Sequence, residues 1–269
     1  MKEFKNKVAV VTGASSGIGF AIAKCCAKEG MSLVLADINE ERLLLVEKEI
    51  SNFGVKVISV ITDVSKSDDV ERLADLAYSK FGSVHLLCNN AGVLHVAPIL
   101  EHTIKDWEWV LGVNLFGVIN GIRIFGPLMK RQLVDCHIVN TVSIASFTTG
   151  PGLAAYKVSK HAILALSEIL LCEMNGTNVG VSVLCPGWVD TDIMHAEKIR
   201  PIELKNRIDF KPTNSDLNRQ KGVDAAKKGA DPEEIADLLF QGIKKGVFYI
   251  ITDHSFKDKF LERVDNILK

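Results

Sequence analysis

Tyr156 and Lys160 stand four residues apart in Ala155–Cys172, a stretch of helical pattern, so both side chains project from one face about a turn apart. A phenol beside an ammonium is a proton-transfer pair. A free phenol has a pKa of about 10, and a cation within ~4–6 Å is the physical means of bringing its ionisation toward neutrality. The expectation is therefore a Tyr156 pKa lowered by Lys160. Such a pair is also common on exposed helix faces and carries no function alone. Ser143, 13 residues before Tyr156, closes the apolar run His137–Val142, where a strand end would open toward a crevice. Ser146 is a nearby, less well-placed competitor.

A second pattern lies near the amino terminus. The apolar run Val8–Val11 is followed by Thr12-Gly13-Ala14-Ser15-Ser16-Gly17-Ile18-Gly19 and then by the helical stretch Phe20–Lys28. Gly13, Gly17 and Gly19 would let the backbone approach a pyrophosphate, whose charge the unpaired N–H groups and dipole of a helix start favour. Ser15 and Ile18 belong to the same binding set, and an ordinary tight turn is the alternative. Asp37 follows Gly19 by 18 residues, close to the offset at which a carboxylate meets a ribose 2′-hydroxyl. A 2′-phosphate ~4 Å away would be repelled by a few kcal/mol at an effective dielectric near 20, which favours NAD(H) over NADP(H). Asp37 could instead cap a helix starting near Asn39.

The elements that must position these residues recur regularly. β-Branched runs at Val8–Val11, Leu33–Ala36, Val55–Ile61, Val84–Cys88, His137–Val142 and Val181–Cys185 alternate with amphipathic stretches of helical length. Runs so uniformly apolar suit strands covered on both faces, so the fold class is α/β: a doubly wound, Rossmann-type parallel sheet with helices on both faces. Asp231-Pro232-Glu233-Glu234 opens a helix running to Lys245, Val247–Ile251 reads as a last strand and Phe256–Leu268 as a closing helix. Asp190–Gly229 is polar and weakly periodic, and reads as a partly helical excursion over the site.

Composition narrows the classes further. The 269 residues contain no linker-like tract and fit one domain; 47% hydrophobic and 24% charged residues with a formal charge of -1 give no bias toward nucleic acid. The charged start Met1–Lys7 lacks the order of a signal peptide, which implies the cytoplasm. The apolar segment Leu115–Met129 is broken by Asn120 and Arg123, so no membrane span is expected. Cys25, Cys26, Cys88, Cys136, Cys172 and Cys185 show no metal or disulfide spacing and read as buried thiols, with the adjacent Cys25 and Cys26 as a weak oxidation sensor. No metal is expected.

Thr12–Gly19, Asn89-Asn90-Ala91-Gly92, Asn114, Ser143 and Tyr156-x-x-x-Lys160 together resemble the signature of the short-chain dehydrogenase/reductase family, from about Lys7 to Thr191. That resemblance implies an NAD(H)-dependent exchange between a secondary alcohol and a ketone. It makes Tyr156 the acid or base, Ser143 the group that polarises the substrate oxygen, and Lys160 a holder of the nicotinamide ribose. It makes Asn114, in the helix around Trp107–Val118, the residue that positions a water linking Lys160 to solvent. By the same likeness Asp63 and Val64 meet the adenine, Asn90 and Gly92 face the ribose, and Val189 and Thr191 meet the nicotinamide carboxamide.

One departure stands out. Many family members end with a glycine-rich segment after the last strand, whereas this chain reads Tyr249-Ile250-Ile251-Thr252-Asp253-His254 and continues into a helix. A dimer or tetramer is expected through the helices around Trp107–Met129 and Ala154–Cys172. Leu94, Val96, Phe147, Leu153, Trp188 and Met194 suggest an apolar pocket for a bulky or cyclic substrate, with core packing the alternative. Two rival functions use the same scaffold: an epimerase or dehydratase using NAD transiently, and a non-catalytic NAD-binding sensor or scaffold, which has no use for a phenol beside an ammonium.

Overall fold

Alternate residues of each apolar run must face opposite sides of a sheet, and both sides here are covered. In the computed structural model, which describes residues 1–207 and 212–269, seven parallel strands form one sheet in the order β3-β2-β1-β4-β5-β6-β7. The elements run β1 (Val8–Thr12), α1 (Gly17–Lys28), β2 (Ser32–Asp37), α2 (Glu40–Ser51), β3 (Val57–Ile61), α3 (Ser67–Phe81) and β4 (Leu86–Asn89). They continue with α4 (Ile104–Leu111), α5 (Gly117–Arg131), β5 (Cys136–Thr141), α6 (Ala154–Met174) and β6 (Val179–Cys185). The chain then passes through α7 (Ser215–Ala226), α8 (Pro232–Lys245), β7 (Tyr249–Ile251) and α9 (Lys257–Leu268).

Ala9, Val11, Leu33 and Leu35 face a layer made by α1, α2 and α8, while Val10, Val34 and Ala36 face a layer with α3, α5 and α6. The doubly wound Rossmann-type class is therefore what the sequence forms. Strand order reverses between β1 and β4, and a crevice at the carboxyl ends of the strands is the necessary consequence, because the chain leaves those two strands in opposite directions.

One feature of the helical layers differs from the sequence expectation, and one agrees with it. Ile104–Arg131 is one continuous helical run, interrupted by a π-helical turn at Gly112–Phe116, and by length and composition it could cross a membrane. In this fold it is a layer helix: Val118, Phe125 and Met129 are buried, Asn120 donates to the Val64 carbonyl at 3.0 Å, and Arg123 pairs with Glu71 at 3.1 Å. Asp231 caps α8 by accepting from the Glu233 N–H at 2.7 Å, with Pro232 in the first turn. The Glu233 carboxylate reaches Lys24 and Lys28 on α1, tying those helices together.

The polar stretch after β6 is helical in part, with 3₁₀ helices at Asp192–Ile199 and Ile202–Leu204 followed by α7; residues 208–211 of the expected excursion lie outside the described residues. A buried ion network anchors it. The Asp106 carboxylate on α4 takes Arg200 at 2.7 Å and Asn206 at 2.8 Å, and Arg200 stacks 4.9 Å from the Trp109 ring. His95, in the segment after β4, reaches Glu197 at 2.5 Å.

Candidate active site

A cavity of about 930 Å³ opens at the carboxyl ends of β1, β2, β4, β5 and β6. The glycine turn forms one wall. Gly13 and Gly17 have φ of +65° and +51°, the left-handed region that a side chain disfavours. A Cβ on Gly13 would lie 2.8 Å from the Ala91 Cα, one on Gly17 2.9 Å from the Thr191 Cγ2, and one on Gly19 2.0 Å from the Gly13 carbonyl oxygen. The turn is thus a cradle that glycine alone leaves open, at the start of α1, and it fits a pyrophosphate.

Buried polar groups fix the neighbouring turns. The Thr12 hydroxyl accepts from the N–H groups of Asn90 at 2.9 Å and Ala91 at 3.1 Å, stitching the end of β1 to the turn after β4. Asn90 donates its amide to the Thr12 carbonyl at 3.0 Å and accepts from Thr141 at 3.2 Å. Asp37 ends β2 with one carboxylate oxygen accepting from the Ser15 N–H at 3.0 Å and the other from the Asn39 N–H at 2.9 Å. The cap of α2 is Asn39 itself, whose side chain accepts from Arg42 at 3.1 Å. Asp37 therefore orders the glycine turn and lines the cavity rather than capping the helix.

Asp63 accepts from Ser65, Val64 is buried against Gly117, and both line the same cavity with Ser15, Ile18, Asn90, Gly92, Val189 and Thr191. Gly19 sits just behind its wall. Every residue expected to hold a dinucleotide is thereby gathered at one crevice.

On the opposite wall, α6 carries Tyr156 and Lys160. The Lys160 ammonium donates to the Thr141 carbonyl at 2.8 Å and lies 5.6 Å from the centre of the Tyr156 ring. Ser143 leaves the end of β5 with its oxygen accepting from the Ala145 N–H at 3.1 Å and its hydroxyl donating to the Pro186 carbonyl at 3.4 Å, and it lines the cavity together with Tyr156. Ser146 instead spends its hydroxyl on the Ser143 carbonyl at 2.7 Å, which removes it as a competitor.

Charge and burial set the acidities differently from the sequence expectation. Burial pushes the Tyr156 phenol above its usual value, with the Ser143 hydrogen bond acting against that, and burial brings Lys160 down to about 8. The expected depression of Tyr156 by Lys160 is not what the protein alone shows. Both groups are taken from water, and losing hydration disfavours the charged form of each.

Asn114 lies in the π-helical turn, and its side chain is fully engaged. Its amide donates to the Val93 carbonyl at 2.9 Å and the Ser159 hydroxyl at 3.0 Å, and its oxygen accepts from the Val93 N–H at 2.8 Å. The extra residue of a π turn aims this side chain at the neighbouring loop and at α6. Gly92 stands between Asn114 and Lys160: a Cβ there would lie 3.6 Å from the Asn114 oxygen and 3.7 Å from the Lys160 nitrogen. Both amide hydrogens are committed to protein partners, which leaves the side-chain oxygen's second lone pair as the place where a water could donate.

Leu94, Leu153 and Trp188 line the cavity as expected. Val96 and Met194 do not: they pack with Val223 beneath it, and Phe147 stacks on Phe256 at 4.8 Å, so the packing alternative holds for these three. Cys25 and Cys26 are both buried with thiols pushed up by burial, which removes the sensor reading. Sequence reasoning missed Thr141 and Ser159 as partners of Lys160 and Asn114, although Ser159 sits inside the quoted Tyr156–Lys160 motif. It also missed Lys157 and Lys259 on the cavity wall.

Comparison with known proteins agrees with this geometry. The short chain dehydrogenase family model matches residues 7–200. A CLA biosynthesis dehydrogenase/reductase of Lactiplantibacillus plantarum is 34% identical, over 100% of this chain and 95% of its own. A 1-deoxy-11-beta-hydroxypentalenate dehydrogenase of Streptomyces arenae is 38% identical, over 98% of this chain and 88% of its own. Among solved structures, a short chain dehydrogenase/reductase from Burkholderia phymatum in complex with NAD superposes with a TM-score of 0.96 at 42% identity, covering 100% of this chain and 96% of that one. A glycine cradle, a serine, tyrosine and lysine at one crevice, and these whole-length likenesses have one common explanation: the chain belongs to the short-chain dehydrogenase/reductase family of oxidoreductases, which bind a nicotinamide cofactor.

Proposed function

We propose that the protein is an NAD(H)-dependent dehydrogenase that interconverts a secondary alcohol and its ketone, with an apolar, bulky substrate. The observation that carries this reading is the meeting of Tyr156, Ser143 and Lys160 on the wall facing the glycine cradle. NAD, when bound, supplies the acceptor for the substrate hydride. Gly13, Ser15, Gly17, Ile18 and Gly19 would hold its pyrophosphate, Asp37 the adenosine ribose, Asp63 and Val64 the adenine, Asn90 and Gly92 the turn facing the sugar, and Val189 and Thr191 the carboxamide.

The chain's own groups manage the proton. Tyr156 gives its hydroxyl proton to the forming alkoxide in ketone reduction and takes the alcohol proton in oxidation. The pKa raised by burial keeps it a phenol at neutral pH, the form that reduction needs; oxidation needs the phenolate and so rises with pH. Ser143 orients the reacting oxygen through its hydroxyl. Lys160, held near the point of losing its own proton, passes charge and protons to the phenol. Asn114 acts as a positioning residue, clamping the turn after β4 to α6 beside Lys160.

NAD is favoured over NADP because the Asp37 carboxylate would repel a 2′-phosphate, and the NAD complex of the Burkholderia relative supports this choice. The apolar lining and the hydroxypentalenate named for the Streptomyces relatives support a bulky alcohol. Exposed Phe116, Val158 and Ile169 on the long helices support a homodimer or homotetramer built through them.

The test is Tyr156→Phe. It should lower kcat by at least ~10²-fold in a panel of cyclic secondary alcohols while leaving NADH affinity within a factor of about three, since only the proton-transfer group is removed. Turnover near that of the parent protein would refute the assignment.

A further inference from the structure

The cavity has one corner whose charge the dehydrogenase reading does not use. Lys157 follows Tyr156 on α6 and Lys259 stands on α9, and both line the cavity. Neither ammonium has a hydrogen-bond or ion-pair partner among the described residues. Behind them, Arg263 donates to the Phe147 carbonyl at 3.4 Å and lies 3.1 Å from the His161 Nε2. His161 Nδ1 contacts the Lys157 carbonyl at 2.8 Å, so Nδ1 carries the hydrogen and Nε2 accepts from Arg263. Arg263 likewise pairs with no carboxylate among the described residues.

Asp253, two residues after β7, is committed to its own turn. Lying against Gly187, it accepts from the Ser255 N–H at 2.7 Å and its hydroxyl at 2.9 Å. Two cations thus face the cavity with no ion-pair partner among the described residues, and the half-buried Lys157 is held below the ordinary lysine range by burial and by the charge of Lys259. Surface lysines ordinarily avoid one another or pair with acids, because like charges in a partly desolvated corner repel. The helix that brings Lys259 here is the carboxyl-terminal extension that sets this chain apart from its family pattern, and Phe256 and Phe260 fix it to Phe147 in the segment between β5 and α6.

We propose that Lys157 and Lys259 bind a carboxylate carried by the substrate, so that the reacting compound is an apolar secondary alcohol or ketone with an acid group at its far end. This rests on the dehydrogenase reading, with Tyr156 and Ser143 at the reacting carbon and the apolar wall of Leu153 and Trp188 along the body. An exposed lysine contributes a modest amount to such binding, roughly two- to fivefold per ammonium, and the contribution falls as salt rises.

The experiment measures binding as well as turnover. NADH-loaded protein is titrated calorimetrically with octanoate and with the isosteric neutral octanamide. The parent protein should prefer octanoate by about tenfold at low salt, and most of this preference should vanish at high salt. A Lys157→Gln, Lys259→Gln double variant should bind the two within about twofold, whereas Lys157→Arg, Lys259→Arg should keep the preference. Each ratio is taken within one variant, so a general loss of affinity cancels. Equal binding of acid and amide by the parent protein, or an acid preference that survives the double Gln change, overturns the proposal. Tyr156→Phe should retain the preference while losing turnover; a Tyr156→Phe protein that keeps turnover refutes the dehydrogenase reading and leaves the measured anion site standing.

Discussion

Lys160→Met should abolish most activity while changing stability little at neutral pH, with a difference from the parent protein that depends on pH in one direction. Lys160 is 4% exposed and, among the described residues, its ammonium meets only the Thr141 carbonyl, at 2.8 Å, with no carboxylate partner. Burial brings its pKa from 10.5 to about 8. A drop from 10.5 to about 8, at 1.36 kcal/mol per tenfold change in proton affinity, withholds ~3 kcal/mol from folding while the group is protonated in both states. The unfolded chain keeps the proton to about 10.5 whereas the folded protein releases it near 8, so the parent protein gains stability as pH rises between those values. Methionine has no such dependence. At neutrality the relief is offset by leaving the Thr141 carbonyl unpaired, which costs ~1–3 kcal/mol, so the net change there is small. The decisive quantity is the stability of the parent minus that of Lys160→Met, measured by urea unfolding without cofactor. It should be flat below about pH 7 and increase by roughly 2–3 kcal/mol by about pH 10, other groups cancelling between the two proteins. A difference constant to within ~0.5 kcal/mol, or one that falls, would show that Lys160 is hydrated or neutralised in the fold and would sink the argument.

Three further outcomes follow from the same geometry. Asp37→Ala should shift the kcat/KM ratio toward NADP(H) by removing the repelling carboxylate, and should weaken both cofactors because the Ser15 N–H loses its acceptor; an unchanged ratio means that Asp37 does not face the ribose. Gly19→Ala should abolish NADH binding, since its Cβ would fall 2.0 Å from the Gly13 carbonyl oxygen, whereas Gly126→Ala, with nothing within 4 Å, should bind normally; equal behaviour in a fluorescence titration refutes the cradle. Asp106→Ala should cost ~3–5 kcal/mol in urea unfolding, because it strips a buried carboxylate from Arg200 and removes the cap on Thr103; a loss under ~1 kcal/mol would mean that the network rearranges freely.

Periodicity made the sheet readable, because strands covered on both faces must be apolar throughout, and all seven strands lie within two residues of the runs that announce them. The last is shorter than expected: Val247 and Phe248 precede the ladder, which begins at Tyr249. The site was readable where a residue type serves one purpose, as with the glycines of the cradle or the tyrosine and lysine on one helix face. It was not readable where geometry decides. A π turn inserts one residue into a helix without altering its apolar pattern, so the aim of Asn114 had no signal. Phe147, Val96 and Met194 carry the hydrophobicity of pocket residues, and only the docking of α9 and of the segment after β6 determines that they are covered. The direction of the Tyr156 shift failed for the same reason. Sequence gives the neighbour that would lower it, and burial depth, a property of the whole fold, opposes that neighbour.

The distribution of buried charge locates the site without reference to any motif. Cys26 and Cys88 are buried and shifted upward, and His137 is shifted down to about 3, but each shift favours the neutral form and leaves an uncharged group at neutral pH. Such shifts cost the fold little. Asp106 and Arg200 are buried and charged, and they meet each other at 2.7 Å. Among the described residues, Lys160 alone is buried, charged at neutral pH and without an opposite charge beside it. A fold of marginal stability retains such a group only if something else depends on the charge. What lies next to it is a phenol, a serine hydroxyl and an open crevice at the reversal of strand order, so the destabilising ammonium and the proton chemistry assigned to Tyr156 have one cause.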